Sequence, residues 1–230
     1  MLNSVLDFCF DILFPKYCAG CHAEGSFLCD KCRKNIVAVG SICFVCERRS
    51  PQGLICENCK SLTRLRRFVS PLFYRDPIVR ELIRLYKYEG VKEIGEILAG
   101  YIIEAAMLYA VPLLADALLV PIPLHKKRLR ERGFNQAELM AKKLGRAWGL
   151  KIATDILMRT EYRKPQTEIK RREERLENAK GIYKINKSPP PGKIMILVDD
   201  VATTGATLEE AARVLKNAGA KQVWAFTAAR

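Results

Sequence analysis

The chain has 230 residues, of which 49% are hydrophobic and 28% charged, proportions that are typical of a globular protein and exclude a disordered or collagen-like chain. Its formal net charge is +14, and residues 125–187 alone carry 19 basic and 8 acidic side chains. Excess positive charge that is so concentrated predicts a polyanionic partner, either nucleic acid or a pyrophosphate-rich small molecule. A solvated basic surface is the alternative.

The N-terminal segment is hydrophobic but is interrupted by Asp7 and Asp11. It lacks the basic start and the small-residue cleavage site of a signal peptide. The longest apolar stretch, around residues 105–115, is too short to span a bilayer and contains Pro112. We therefore expect a cytoplasmic protein without a membrane span.

Eight of the nine cysteines form four CxxC pairs, which are Cys18/Cys21, Cys29/Cys32, Cys43/Cys46 and Cys56/Cys59. Two such pairs supply the four thiolates of a tetrahedral zinc site. A disulfide framework is the alternative, but nothing in the sequence suggests export from a reducing compartment. The spacing predicts two zinc ions, bound either by sequential pairs or by a cross-braced arrangement. Closed four-thiolate sites have no open coordination position, so we expect both zinc ions to be structural.

After Cys59 the composition changes, and we place a domain boundary there, with a zinc-ribbon module over 1–66 and a larger domain over 67–230. In the larger domain, helical periodicity alternates with apolar runs that suit buried strands. This order predicts an α/β fold with a parallel sheet flanked by helices. The predicted helices cover 77–88, 92–109, 135–148 and 208–218, the strands 117–122, 194–198 and 223–227, and a charged excursion 159–180.

The sharpest signal lies at residues 196–207, where a buried strand delivers Asp199 and Asp200 at its carboxyl end. A Thr/Gly-rich turn follows and enters a helix, so its backbone N–H groups and hydroxyls form a candidate anion cradle. Because carboxylates repel a bare phosphate, a sugar phosphate is the better ligand. The structural alternative is an ordinary helix start with a capping box of Thr207 and Glu210.

Two further basic segments accompany this turn. Residues 125–132 follow the strand ending at Pro121 and hold five Lys/Arg and one His, a composition suited to pyrophosphate. Residues 164–178 are polar and basic and suit a loop that closes over a site, although a basic surface helix is the alternative.

Residues 196–207 resemble the phosphoribosyl pyrophosphate (PRPP) loop of type I phosphoribosyltransferases. The order of CxxC pairs, the segment 132–136 (RGFNQ) and the segment 199–207 (DDVATTGAT) resembles the ComF family over nearly the whole chain. That resemblance implies a zinc module joined to a type I phosphoribosyltransferase domain and a link to DNA uptake during bacterial competence. It also makes Lys87, in the segment 85–90, a candidate for the ligand site.

The resemblance implies a role for each site segment. Asp199 and Asp200 would bind the PRPP ribose and Mg²⁺, and the loop of Ala202, Thr203, Thr204, Gly205, Ala206 and Thr207 would bind the 5′-phosphate. The implied pyrophosphate-loop residues are Pro123, Leu124, His125, Lys126, Lys127 and Arg132. The implied flexible-loop residues are Gln166, Thr167, Arg171 and Arg175.

Three hypotheses for function follow. The first is an enzyme that transfers the phosphoribosyl group of Mg²⁺·PRPP to an unknown acceptor and releases pyrophosphate. The second is a non-catalytic adaptor for single-stranded DNA, with DNA contacts at Arg128, Arg130 and Arg132, in which the PRPP site is regulatory or vestigial. The third makes the zinc module a docking surface for proteins, among which competence-machinery proteins are candidate partners.

Overall fold

The central feature is a five-stranded sheet in which every neighbouring pair is parallel. We describe residues 15–161 and 179–230 from a computed structural model. The strands are β1 (Leu65–Val69), β2 (Leu118–Pro121), β3 (Lys151–Ile152), β6 (Ile194–Val201) and β7 (Gln222–Ala229), in the spatial order β1-β7-β6-β2-β3. Two short strands, β4 (Leu157–Arg159) and β5 (Tyr183–Ile185), form a separate antiparallel pair.

The described helices are α1 (Asp30–Asn35), α2 (Pro77–Tyr88), α3 (Glu93–Leu108), α4 (Lys126–Arg132), α5 (Gln136–Trp148) and α6 (Ala206–Asn217). Short 3₁₀ turns cover Pro51–Gly53 and Glu57–Leu62 in the cysteine-rich part. The four helices predicted from periodicity are confirmed within two residues at each end. The parallel sheet flanked by helices, with a cysteine-rich module before it, confirms the predicted fold class.

Two hydrophobic cores cover the two faces of the sheet. Alternate residues of a strand point to opposite faces, and in β6 Ile196 and Val198 belong to one core while Met195 and Leu197 belong to the other. Helices α2, α3 and α5 cover the first face. Helix α6 and the second cysteine group, residues 43–59, cover the other face.

Strand β1 joins the cysteine-rich part to the sheet. It begins at Leu65 and pairs with β7 from Leu65↔Val223 to Val69↔Phe226, so the predicted boundary between residues 66 and 67 falls inside a strand. Among the residues that the structure describes, no helix is long and apolar enough to cross a membrane.

Tyr86 packs at the point where the helices α2, α3 and α5 meet and fixes their relative positions. Its buried hydroxyl on α2 donates a hydrogen bond to the carbonyl oxygen of Gln136, at the start of α5, over 2.8 Å. Helix α3 fits against this ring because residue 95 is glycine: a Cβ there would lie 2.5 Å from the Tyr86 hydroxyl oxygen. The close approach sets the position of the carboxyl end of α2.

Gly95→Ala is therefore expected to destabilise the protein by about 1–3 kcal/mol, because the added methyl displaces the Tyr86 hydroxyl. Gly100→Ala in the same helix is the matched control, since a Cβ there meets no atom within 4 Å. It is expected to stabilise the protein by about 0.5–1 kcal/mol through helix propensity. Urea unfolding measures both. Equal stabilisation by the two substitutions would show that the contact with Tyr86 is not tight.

Candidate functional site

The cysteines form two groups of four, and in each group the Sγ atoms all lie within 4.8 Å of one another. The groups are the sequential ones, Cys18/Cys21/Cys29/Cys32 and Cys43/Cys46/Cys56/Cys59. The Sγ atoms of Cys21 and Cys29 are 3.7 Å apart, as are those of Cys46 and Cys56. A tetrahedron with Zn–S bonds of about 2.3 Å has edges of about 3.8 Å. Both donor sets therefore fit zinc, and of the two pairings open in the sequence the sequential one is present.

Backbone donors prepare the first group for metal binding. The N–H groups of Gly20 and Cys29 donate to the Sγ atom of Cys18 over 3.5 and 3.4 Å. Burial raises the pKa of the Cys18 thiol, but the N–H donors of Cys29, Cys21 and Gly20 together lower it to about 6. Because zinc binds the thiolate, this environment favours the metal-bound form.

Asp199 and Asp200 lie within β6, which continues to Val201 through its pairing with β7. The predicted strand over 194–198 is therefore three residues too short. Asp200 is buried, and its Oδ1 lies 2.9 Å from the Nζ of Lys87. Asp199 is half-buried, and its Oδ1 accepts the N–H of Asp200 over 2.9 Å. Although successive strand residues point apart, both carboxylates line one cavity of about 330 Å³.

Lys87 reaches Asp200 from the last turn of α2. Burial lowers the pKa of Lys87, but attraction to Asp200 outweighs that effect and the pKa lies above its ordinary value. The lysine is therefore charged and neutralises Asp200. A candidate from a distant segment of the sequence thus contacts the acidic pair directly.

Asp199 has an unusual protonation equilibrium. Burial, together with repulsion from Asp200, raises the pKa of Asp199 to about 7, and attraction to Lys87 offsets only part of this. No side chain among the described residues forms an ion pair with Asp199. Its charged form is therefore poorly stabilised, and a hydroxyl donor or a cation in the cavity would stabilise it.

The turn after β6 forms a cradle of N–H groups. Gly205 adopts a left-handed conformation with φ of 74° and precedes the first residue of α6. Ala202 donates its N–H to Ala229, whereas the N–H groups of Thr203, Thr204 and Gly205 donate to no described residue. Three unused donors at a helix N-terminus provide a site for an anion. Thr203 and Thr207 line the same cavity as the carboxylates.

The capping box of Thr207 and Glu210 is not formed. Helix α6 begins at Ala206, so Thr207 lies inside the first turn, and the residue at the N-cap is glycine. The Glu210 carboxylate accepts the N–H of Gly181 over 2.8 Å and pairs with Arg213 over 2.7 Å. The N-cap residue of α6, Gly205, thus has no capping side chain, and among the described residues the Thr204 hydroxyl accepts the N–H of Ala206 over 3.4 Å.

The basic segment that follows β2 was predicted to be a loop. Beyond His125 it forms the helix α4. The His125 Nδ1 accepts the N–H of Lys127 over 3.2 Å and caps α4. Arg128 and Arg132, four residues apart and so on one face, line the cavity. The exposed residues of the segment include Lys126, Lys127 and Arg130. The helix therefore divides its cations between the cavity and solvent.

Only three of the six predicted pyrophosphate-loop residues line the cavity, namely Pro123, Leu124 and Arg132. Four lining residues were not among the predicted site residues, namely Arg159 and Tyr183, which come from β4 and β5, and Gln136 and Asn135. The segment 132–136 (RGFNQ) contained a signal for the last two. The predicted flexible-loop residues Gln166, Thr167, Arg171 and Arg175 lie outside the described residues.

Several donors in the cavity wall have no hydrogen-bond partner among the described residues. Arg128 Nη2, Gln136 Nε2 and the Tyr183 hydroxyl are buried and form no hydrogen bond within the part of the chain that the structure describes. All three residues line the cavity. Buried polar groups are nearly always paired, so this wall is arranged for a ligand rich in oxygen acceptors.

Comparison with known proteins identifies both parts of the chain. Residues 129–230 match the phosphoribosyl transferase domain, and residues 9–60 match the double zinc ribbon domain. The chain is 32% identical to competence protein ComFC of Bacillus subtilis over 213 residues, 88% of this chain and 84% of that protein. The chain belongs to the ComF family.

Other relatives extend the family to further bacteria. Competence protein F of Haemophilus influenzae is 25% identical over 89% of this chain and 97% of its own length. DNA utilization protein YhgH of Salmonella typhimurium is 28% identical over 86% of this chain and 88% of its own. The ComF architecture of a double zinc ribbon followed by a phosphoribosyltransferase domain is thus present here.

The raised pKa of Asp199 predicts a pH-dependent stability. In an unfolded chain an aspartate titrates near ~4, so between about pH 4 and 7 the folded protein holds a proton that the unfolded chain has lost. Stability therefore falls as the pH rises through this window. Asp199→Asn removes the penalty and is expected to stabilise the ligand-free protein at pH 8, on the order of 2 kcal/mol. The gain is expected to shrink towards pH 5.

Urea unfolding at pH 5 and pH 8 measures this difference. Asp116→Asn is the control, because Asp116 is exposed and pairs with Lys193 on the surface. A gain from Asp199→Asn of equal size at both pH values would contradict the assigned protonation.

Proposed function

We propose that this ComF protein binds PRPP with Mg²⁺ in the cavity and transfers the phosphoribosyl group to an acceptor, releasing pyrophosphate. The observation that carries the proposal is the convergence on one cavity of two carboxylates, the turn after β6 through Thr203 and Thr207, and four cationic side chains. The cationic residues are Lys87, Arg128, Arg132 and Arg159. A ligand that carries both hydroxyls and several phosphate charges matches this set.

Each part of PRPP has a chemical counterpart in the site. The carboxylates of Asp199 and Asp200 accept hydrogen bonds from ribose hydroxyls, and the turn 202–207 holds the 5′-phosphate. Arg128 and Arg132 face the pyrophosphate. Carboxylates and phosphate oxygens are the ligands that Mg²⁺ prefers, so the half-buried Asp199 and the pyrophosphate would hold the ion, which would neutralise charge on the leaving group.

In the proposed reaction the bond between the anomeric carbon and the pyrophosphate oxygen breaks, and its electron pair leaves with the pyrophosphate. A nucleophilic atom of the acceptor forms the new bond to that carbon. The protein supplies no nucleophile. Arg128 and Arg132 stabilise the negative charge that grows on the leaving group, and the turn at 202–207 holds the ribose in line.

Calorimetric titration of Mg²⁺·PRPP into the zinc-loaded protein tests binding. The wild-type protein is expected to bind, and the Asp199→Asn/Asp200→Asn double variant is expected to lose at least about 2 kcal/mol of binding free energy, since it removes two charged acceptors. Asp116→Asn, in the surface pair with Lys193, is expected to bind normally. Binding by the wild type justifies a screen of acceptors by pyrophosphate release. Unimpaired binding in the double variant would rule out the assigned ribose site.

We further propose that the exposed face of α4 binds single-stranded DNA. Of the three DNA contacts suggested by the sequence, Arg128 and Arg132 line the cavity, whereas Arg130 is exposed, as are Lys126 and Lys127. The three exposed residues can contact phosphates of a strand while the cavity is occupied. The names of the relatives refer to competence and DNA utilization. We propose the same setting for this protein, in the cytoplasm and with competence-machinery proteins as partners.

The division of cations on α4 allows the two activities to be separated. The triple variant Lys126→Gln/Lys127→Gln/Arg130→Gln is expected to weaken oligonucleotide binding, because it removes exposed positive charges. The slope of log affinity against log salt concentration is expected to fall by the equivalent of about 3 phosphate contacts. Its PRPP affinity is expected to remain unchanged. Arg128→Gln/Arg132→Gln is expected to show the reverse pattern.

Fluorescence anisotropy with a labelled single strand at several salt concentrations, beside PRPP calorimetry, reports both activities. Loss of DNA binding only in the Arg128/Arg132 variant would place the strand in the cavity and remove the outer face from the interface.

A further inference from the structure

The second cysteine group touches the phosphate cradle directly. Phe44 lies between the zinc-ligand candidates Cys43 and Cys46, and its ring packs against Gly205. A Cβ at residue 205 would lie 2.1 Å from Cζ and 2.7 Å from Cε2 of that ring. Glycine is thus required at residue 205 for two reasons, which are the left-handed backbone conformation and the close contact with the Phe44 ring.

The ring meets the turn from outside the cavity. Thr203 and Thr207 line the cavity, whereas Phe44 does not. Phe44 packs edge-on against Phe68 of β1, with ring centroids 4.8 Å apart and an interplanar angle of 61°. Phe68 is buried in the same core as Ala202 and Ala206. Phe44 therefore connects the turn to the central sheet.

A second contact joins the same two regions. The Glu209 carboxylate, in the first turn of α6, accepts the hydroxyl of Thr63 over 2.6 Å and the N–H of Arg64 over 2.8 Å. Thr63 is buried and lies four residues after Cys59. The cradle is consequently held at Gly205 and again one turn into α6.

The first cysteine group contacts a different part of the protein. Gly20 packs near Ile78 at the start of α2, and Lys16 pairs with Glu93 at the start of α3 over 2.9 Å. A further ion pair joins α1 to α3, between Arg33 and Glu104. None of these contacts involves the turn 202–207. The two metal groups therefore differ in what they support.

We propose that Phe44 is a positioning residue for the phosphate cradle and that the second zinc site, through Phe44, determines the affinity of the cradle for its anion. A metal at that site fixes the 43–46 turn and thereby the ring. The inference about affinity rests on the proposed PRPP function, whereas the position of the cradle can be measured without a ligand.

Hydrogen–deuterium exchange of the zinc-loaded full chain measures the cradle without a ligand. Phe44→Ala is expected to speed exchange in peptides covering 202–209 by roughly tenfold, because local opening loses a packed contact. Phe44→Leu is expected to restore most of the protection. Zinc content, measured with a chromogenic chelator, is expected to stay at one ion for each of the two cysteine groups.

Calorimetry with Mg²⁺·PRPP measures how the position of the cradle affects the affinity for PRPP. Phe44→Ala is expected to weaken binding roughly tenfold, with recovery in Phe44→Leu. Gly205→Ala is expected to weaken binding less in the Phe44→Ala background than in the wild type, because one of its two penalties, the collision with the ring, is gone. Cys46→Ser is expected to reproduce the loss, while Cys21→Ser, at an equally exposed ligand of the first group, is expected to retain wild-type affinity.

The outcomes separate the two proposals. Unchanged exchange over 202–209 in Phe44→Ala, or equal effects of Gly205→Ala in both backgrounds, overturns the positioning role. Faster exchange in Phe44→Ala together with no PRPP binding by the wild type supports the positioning role and rejects the proposed function. Equal loss of affinity in Cys46→Ser and Cys21→Ser overturns the special role of the second zinc site.

Discussion

The structure depends on the cost of placing two adjacent carboxylates at the buried end of β6. Removing two like charges from water is expensive, and breaking a buried pair by removing one partner typically costs about 3–5 kcal/mol. Lys87 offsets this cost for Asp200, and its position follows from α2. The Tyr86 hydrogen bond to α5 and the absence of a side chain at Gly95 hold that helix in place. Packing directly behind the cavity wall thus positions the lysine that neutralises Asp200.

Asp199 is not compensated in the same way, and this asymmetry matters for the ligand. A site with two free acids would repel phosphate. Among the described residues, Asp200 is paired with Lys87 and Asp199 has no ion-pair partner, while Arg128, Arg132 and Thr203 line the same cavity. The arrangement favours a ligand in which hydroxyls and phosphates are close together.

Much of the fold and of the candidate site was predictable from local sequence patterns. The apolar run of β6, the Asp pair and the Thr/Gly turn are contiguous, and the CxxC spacing identified all eight metal-ligand candidates. The helix α4 was not predicted because five of the eight side chains at residues 125–132 are Lys or Arg, which leaves no periodic pattern of apolar residues. The short strand β1 was missed because Arg67 interrupts it, yet that side chain is buried over Trp224 and donates to the carbonyl oxygen of Gln52. Arg159 and Tyr183 reach the cavity because β4 pairs with β5. This pairing joins segments that are distant in the sequence, so local sequence patterns do not predict it.

The zinc ribbon in this ComF protein is more than an attachment to the phosphoribosyltransferase fold. Strand β1 follows the second cysteine group after a short segment and pairs with β7 at the edge of the parallel sheet. Phe44 packs on Phe68 of that strand, and Phe68 shares one core with Ala202 and Ala206. Because a metal supplies much of the folding free energy of so small a module, part of that free energy is available to hold the phosphate cradle. In the role proposed for Phe44, zinc binding and anion binding are coupled through this hydrophobic core, and a loss of order in the second cysteine group reaches the cradle without any change in the residues that line the cavity.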